Sequence, residues 1–401
     1  MPSVAELNII SIVLFVIILA VVVYRDRKKF ERQAIVLLRK TKTGKAFLTS
    51  LGASHPRFWK AFGNAGIIAG FGGSFFMIYT LVQVLMVNIG RILAGAEPVQ
   101  ALGLVLPTAS TTGSLTSGLF LVPFWYWIIS IAVLVVFHEG MHGVLCAREK
   151  VPIKSLGLGL LAVIPLAFVE PDENRLKKKG TAQQMRVFAV GSFANFIIAG
   201  LCFIVFAFAF SGFFTAGGVI VSGVVEGTPA YQANLTGAIF QIGSQQVNDV
   251  DDLRSALNGI SPGDTVAIRT KVLEDDTYVE KSYTLTAIQD PNANVTKSFI
   301  GITFSPEPAQ STFAEIKAEF SQYSGLIIFF NGLFLFMFII NLGVGLVNML
   351  PLGPLDGGRM WDVALKRVSP GGYKRIMNGL GFFVLAVIVL TLVSQFVPVG
   401  L

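Results

Sequence analysis

Charge is scarce in this chain. Only 14% of its 401 residues are charged, against 53% hydrophobic, and the mean hydropathy is +0.68. A soluble domain carries about a quarter of its residues as charges, so the composition excludes a soluble enzyme and points to an integral membrane protein. Histidine is scarcer still, with three residues in all. The two cysteines, Cys146 and Cys202, lie in or beside apolar runs, so no disulfide framework is implied. Internal repeats and low-complexity tracts are absent too, which excludes solenoid and propeller architectures.

What the chain has is long apolar runs. Crossing the hydrocarbon takes about 20 apolar residues as helix. Six segments qualify: Ile9–Tyr24, Ala65–Val87, Phe120–Val144, Val187–Phe210, Leu326–Leu350 and Leu380–Val397. The first is followed by Arg25-Asp26-Arg27-Lys28-Lys29, with no basic stretch before it and no small-residue cleavage site after it. It reads as a retained span rather than a signal peptide. The positive-inside bias then places the N-terminus outside and Arg25–Lys60 in the cytoplasm. Alternating from there, Arg148–Arg186 and the cluster Lys366, Arg367, Lys374 and Arg375 also fall inside. Gly217–Glu307, with eleven acidic and five basic residues, falls outside. The expected setting is the cell membrane, multi-pass, with the lipid bilayer as partner. The formal net charge of +7 is a membrane-facing bias, and no nucleic acid is expected.

The texture changes between the fourth and fifth runs. Gly218–Val225 and Tyr278–Ala287 read as strands, and Val250–Leu257 as a short helix after an Asn/Asp cap. About 90 residues of this kind make a small α+β module. Ser311–Ser324 alternates apolar and charged residues at helical spacing, which predicts an amphipathic helix on the outer membrane surface. Ala94–Ser117 is too polar to span and reads as a loop or a packed re-entrant segment.

Two of the three histidines stand in His138-Glu139-Gly140-Met141-His142, at the end of the third run. Four residues apart on a helix, both imidazoles leave one face, and Glu139 between them can take a proton from water at a shared metal ion. A catalytic zinc has three protein ligands and one open position. The stronger candidate for the third is Asp356, in Asn348-Met349-Leu350-Pro351-Leu352-Gly353-Pro354-Leu355-Asp356-Gly357-Gly358, because both motifs end spans on the same side. Glu170 is the weaker candidate. Cys146 continues the histidine row but reads as a small buried hydrophobe, and His55 has no assigned role. Asn195 and Asn348 are candidates to steady a substrate backbone or an oxyanion, or else to tie helices together. Ile153–Val169, with Gly157 and Gly159, predicts a membrane-inserted β-hairpin. Its edge strand would pair with an unwound substrate, the two glycines allowing close backbone approach.

These residues resemble the site-2 proteases, intramembrane zinc metalloproteases. The resemblance rests on the H-E-x-x-H helix, the Asn…Pro…Leu-Asp-Gly element, and Gly191-Ser192-Phe193-Ala194-Asn195, where Ser192 stands in place of the frequent proline. It implies one Zn²⁺ per chain held by His138, His142 and Asp356, with Glu139 as base, acting on single-span membrane proteins near the cytoplasmic face. Gly227-Thr228-Pro229-Ala230 and the residues to Val247 are similar to a PDZ domain of the kind attached to such proteases, with a peptide as its expected ligand.

The expected fold is a polytopic α-helical membrane protein of about six transmembrane helices, with a membrane-associated β-hairpin and one inserted α+β PDZ-like domain. Residues 1–30 form the first span, 31–62 a basic cytoplasmic loop and 63–212 a transmembrane core. The PDZ-like domain takes 213–309, and 310–401 hold the amphipathic helix and the rest of the core. Two other readings use the same residues: a zinc transporter, and a catalytically silent membrane scaffold that binds peptides.

Overall fold

The structure is a computed structural model that describes residues 4–33, 36–41, 44–100, 102–110, 113–116, 118–161, 164–274, 277–289, 298–305 and 308–397. The chain divides into two compact units, one centred on Ala207–Asn331 and one built from Leu7–Phe206 with Gly332–Leu401.

The second unit opens with helix α1 (Val4–Arg25), strands β1 (Glu31–Gln33) and β2 (Val36–Thr41), and helices α2 (Lys45–Ser54) and α3 (Pro56–Leu93). Strands β3 (Leu104–Thr108), β4 (Ser114–Thr116) and β5 (Leu119–Pro123) lead into α4 (Phe124–Arg148). Then come β6 (Ile153–Leu161), β7 (Ile164–Pro171), the short α5 (Glu173–Lys177) and α6 (Thr181–Phe213). The inserted unit holds β8 (Phe214–Ile220), β9 (Gly223–Val224), α7 (Pro229–Gln232), β10 (Ala238–Ile242), β11 (Gln245–Gln246) and α8 (Val250–Asn258). It continues with β12 (Thr265–Glu274), β13 (Thr277–Thr286), β14 (Ile288–Gln289), β15 (Ser298–Phe299), β16 (Ile302–Thr303), α9 (Pro308–Ser311) and β17 (Thr312–Ile316). Helices α10 (Ser324–Asn348), α11 (Asp356–Val368) and α12 (Tyr373–Ser394) complete the chain.

Among the described residues six helices, α1, α3, α4, α6, α10 and α12, are long and apolar enough to cross a membrane. Their apolar side chains point outward as well as inward: Ile68, Phe208 and Phe382 are each about three-quarters exposed. Such faces are unstable against water and suit hydrocarbon. Helix α3 has 38 residues, about 57 Å at 1.5 Å per residue. That exceeds a hydrocarbon thickness of about 30 Å, so its ends reach past it.

One buried charge cluster inside the bundle is fully paired. Glu149, 1% exposed, caps the end of α4 and accepts from Arg186 Nη1 at 2.9 Å and Gln183 Nε2 at 2.7 Å. Arg148 Nη1 lies 3.1 Å from the same carboxylate, and Arg186 Nε donates to Asn64 Oδ1 at 2.7 Å. The cluster ties α4, α6 and α3 together at one level. Removing one partner of such a buried pair costs about 3–5 kcal/mol, because the other charge is left uncompensated.

Three expectations change. Residues 31–62 hold β1, β2 and α2 rather than a plain loop, and the hairpin grows into a four-stranded sheet ordered β1-β2-β6-β7. The apolar run of β2, Val36-Leu37-Leu38, pairs with Leu161, Leu160 and Gly159 of β6 in that order. In the 94–117 stretch and just beyond it, β3 and β4 flank β5, so Phe120 lies in a strand and the helix starts only at Phe124. Finally, Ser311–Ser324 is no amphipathic helix. Its Thr312–Ile316 pairs with β8 as β17, and a 3₁₀ turn follows at Ala318–Tyr323. The edge of β8 satisfies this backbone, which a surface helix of that length would do less well.

The inserted unit is the α+β module that the texture indicates. Its main sheet runs β13-β12-β10-β8-β17, with α8 packing through Leu253 and Ala256 onto Val219, Ile239 and Ile268. Asp249 caps α8 by accepting from the backbone N–H groups of Asp251 and Asp252 at 2.9 Å each.

Candidate metal centre

Helix α4 carries both histidines on one face. The turn after α10 returns the chain so that Asp356, first residue of α11, meets them. Asp356 Oδ2 lies 3.1 Å from His138 Nε2 and 3.0 Å from His142 Nε2, and the two Nε2 atoms are 3.2 Å apart. These are close to the edges of about 3.3 Å of a tetrahedron with zinc–ligand bonds of 2.0–2.1 Å. The three side chains are 11%, 12% and 13% exposed.

Two glycines permit the return. A Cβ at Gly357 would overlap the Met349 backbone, and one at Gly358 the Leu352 carbonyl. Asn348 closes the turn by donating through Nδ2 to Asp356 Oδ2 at 3.1 Å. Burial pushes the Asp356 carboxyl up. The charge of His142 and hydrogen bonds from both imidazoles outweigh it and hold the group well below the usual carboxylate range.

Helix α6 cradles the imidazoles with residues four apart. The Val187 carbonyl lies 2.6 Å from His142 Nδ1 and accepts its proton, which leaves Nε2 bare for a metal. One turn on, Gly191 leaves a gap: a Cβ there would overlap the Nε2 atoms of both histidines. One turn further, the amide of Asn195 lies 3.1 Å from His138 Nδ1, and its Oδ1 is buried without a partner. With Nε2 turned to a metal, His138 carries its proton on Nδ1 and needs an acceptor. Turning the amide so that Oδ1 faces Nδ1 satisfies both atoms. The orphaned oxygen and the two aligned imidazoles therefore fit a cation at the Nε2–Nε2–Oδ2 triangle. Asn195 orients His138, and Asn348 touches the ligand Asp356.

Glu139 lines the same cavity of about 380 Å³, with Phe168, Val169, Phe188, Pro354 and Arg359. Its Oε2 accepts from the Val169 backbone N–H at 3.0 Å. No sequence pattern signals this bond, since backbone groups carry no residue signature. It fixes the Glu139 carboxylate against β7, an edge strand of the sheet.

Gly157 and Gly159 do not serve as the substrate-pairing edge. They lie on β6, which pairs with β2 on one side and β7 on the other. Their small size serves packing instead: a Cβ at Gly157 would strike the Arg39 carbonyl and the Phe168 ring. Among the other candidates, Glu170 is exposed and accepts from Ser155 Oγ at 2.6 Å, away from the metal triangle. Cys146 is buried in the apolar cluster with Val144 and Leu145, and His55 is exposed, bonded to Ser54.

Val169→Pro is expected to lower turnover about tenfold with zinc content unchanged. It removes one hydrogen bond to a charged group, worth about 1.5–3 kcal/mol, from an edge position that tolerates proline. Parallel turnover and metal assays check this; undiminished turnover would show that the bond does not orient Glu139.

Comparison with known proteins agrees with this geometry. Residues 126–391 match the model of peptidase family M50. A candidate zinc metalloprotease of Clostridium perfringens is 22% identical over 320 residues, covering 64% of this chain and 93% of that protein. An uncharacterised protein of Methanocaldococcus jannaschii is 24% identical over 356 residues, covering 88% of this chain and 84% of the other. Among solved structures, the PDZ domain of the SdrC-like protein of Listeria monocytogenes is similar at 23% identity, covering 22% of this chain and 90% of that one with a TM-score of 0.20. With the matched segment spanning well over half of the chain and containing both histidines, Glu139 and Asp356, this multi-pass membrane protein belongs to peptidase family M50, the site-2 protease family.

Proposed function

We propose that the chain is an intramembrane zinc metalloendopeptidase that hydrolyses peptide bonds within or near the transmembrane segments of single-span membrane proteins, as in regulated intramembrane proteolysis. The observation that carries this reading is the convergence of His138, His142 and Asp356 with Glu139 in one cavity. A zinc ion bound there supplies Lewis acidity, which polarises a scissile carbonyl and lowers the pKa of water towards ~7. Glu139 takes the water proton and later delivers it to the leaving amine. Val169 holds Glu139 by one oxygen, which leaves the other for the proton.

A substrate helix hides its carbonyls in its own hydrogen bonds and must unwind before it is cut. In an antiparallel ladder alternate residues turn their N–H and C=O the same way. The Val169 N–H points away from β6, so Ala167 turns its backbone groups to that outer side as well. A substrate strand added at β7 lies alongside Glu139, and the edge strand takes the role that the glycine strand was expected to have. The charge pattern supports a metal site near the cytoplasmic face and an inserted PDZ-like unit outside, where a peptide is its ligand.

A zinc transporter needs further ligands to pass metal along. Among the described residues only the His138–His142–Asp356 group has three metal ligands together. A silent scaffold has no use for Glu139.

The test is incubation of the purified protein with a single-span substrate, with and without a chelator. Cleavage inside the span, stopped by the chelator and restored by zinc, is the expected result. Cleavage indifferent to the chelator would defeat the proposal.

A further inference from the structure

Beside the metal cavity lies a larger one of about 720 Å³, bounded by α5 and the start of α6 on one side and by α11 on the other. Residues Arg359, Asp362, Val363, Lys366 and Arg367 of α11 line it, spaced three and four apart, so one helix face forms its wall. Lys177 and Glu173 face them and pair with each other at 3.5 Å. Among the described residues Arg359, Lys366 and Arg367 have no carboxylate within ion-pair distance; Lys366 has only the Tyr373 ring, 6.0 Å from its Nζ. Four cations against two carboxylates thus line the cavity, and the three cations without an ion pair all lie on the α11 wall.

This cavity adjoins the metal cavity. Pro171, Phe188 and Arg359 border both. Pro171 is also the last residue of β7, so a chain lying along β7 past Glu139 runs on into the larger cavity. We infer that the cavity is a specificity vestibule that receives the flank of the substrate next to the scissile segment and prefers acidic side chains there. The inference rests on the protease reading.

The charge bias of a cytoplasmic face alone would give scattered surface lysines. Here the cations share one concave wall, where a cleft focuses their field, and the wall begins at Arg359, three residues after the metal ligand. An acidic side chain entering meets three guanidinium or ammonium groups that form no ion pair within the protein, with Asp362 the single carboxylate on the same helix face. Each such pair at a partly exposed site is worth little alone, but a few acting together give about tenfold in rate.

The experiment uses three single-span substrates identical in the span, with acidic, neutral or basic residues in the flank. The full-length wild-type chain is compared with the double variant Lys366→Glu, Arg367→Glu. The readout is the ratio of acidic-flank to basic-flank cleavage rates, which a general loss of activity leaves alone. The expected ratio is about ten in the wild type, below one in the variant, and close to one at 1 M salt, where screening reaches about 3 Å. A wild-type ratio near one, or a ratio that charge reversal leaves in place, overturns the vestibule; a uniform fall for all substrates, as an anionic lipid site gives, counts the same way. Failure to cut even the neutral-flank substrate overturns the protease reading itself and the vestibule with it.

Discussion

Glu139→Gln abolishes detectable hydrolysis, lowering the rate by about 10²–10⁴-fold, the usual contribution of a positioned acid–base group, while zinc content stays at one per chain. The two halves of this result are separable because the side chain does separate things. Among the described residues its carboxylate is the only one that lines the metal cavity besides Asp356. It is no member of the ligand triangle, which His138, His142 and Asp356 complete between them. Glutamine keeps the shape and an acceptor oxygen for the Val169 N–H, so β7 keeps its place. What is lost is the capacity to carry a proton. Metal analysis and cleavage of a single-span substrate, measured on one preparation, check both halves. Retained cleavage would move the base elsewhere, and lost zinc would mean that Glu139 is structural.

Gly191→Ala weakens zinc binding without replacing any of His138, His142 and Asp356. The added Cβ falls on the Nε2 atoms of both histidines. Neither ring can step back, because His142 is held through Nδ1 by the Val187 carbonyl and His138 by Asn195, one turn before and one turn after on the same helix. The conflict then falls on the metal site. Overpacking of this kind costs about 1–3 kcal/mol, so zinc affinity drops by roughly 10- to 100-fold. Competition against a chelating dye measures it, with thermal melting to verify the fold. Gly200→Ala on the same helix is the control, since a Cβ there meets nothing. Full affinity in Gly191→Ala would show that α6 yields and that the cradle is loose.

The convergence of His138, His142 and Asp356 was legible because each is an ionisable residue in an apolar setting. His138, His142 and Asp356 stand out where a span should hold no such group, and the run lengths gave the helices. The sheet around β7 was not legible. The partner of β6 is Val36–Thr41, far away in sequence, and its apolar run looks like any loop segment beside a basic cluster. Gly157 and Gly159 signalled close approach correctly, but a glycine does not say what approaches it. The approaching backbone is β2, which leaves β7 at the edge of the sheet. The role of Asn195 was half visible: Gly-x-x-x-Asn puts gap and amide on one face of α6, whereas the orientation of that amide needs the neighbouring ring. Ser311–Ser324 misled because its mixture of apolar and charged residues fits a helix and a strand over so short a stretch.

The sheet and the metal triangle also set an order of events. Strand β2 has only the short β1 beside it until β6 exists, and Val36 pairs with Leu161 only after α4 has been made. Asp356 follows His142 by 214 residues and His138 by 218. A chain emerging from the ribosome therefore carries two histidines and a glutamate long before the carboxylate that completes their set. Metal-binding competence arrives only when α11 is synthesised, after α10 has joined the bundle. Until then the growing polypeptide holds two of the three groups of the His138–His142–Asp356 cluster.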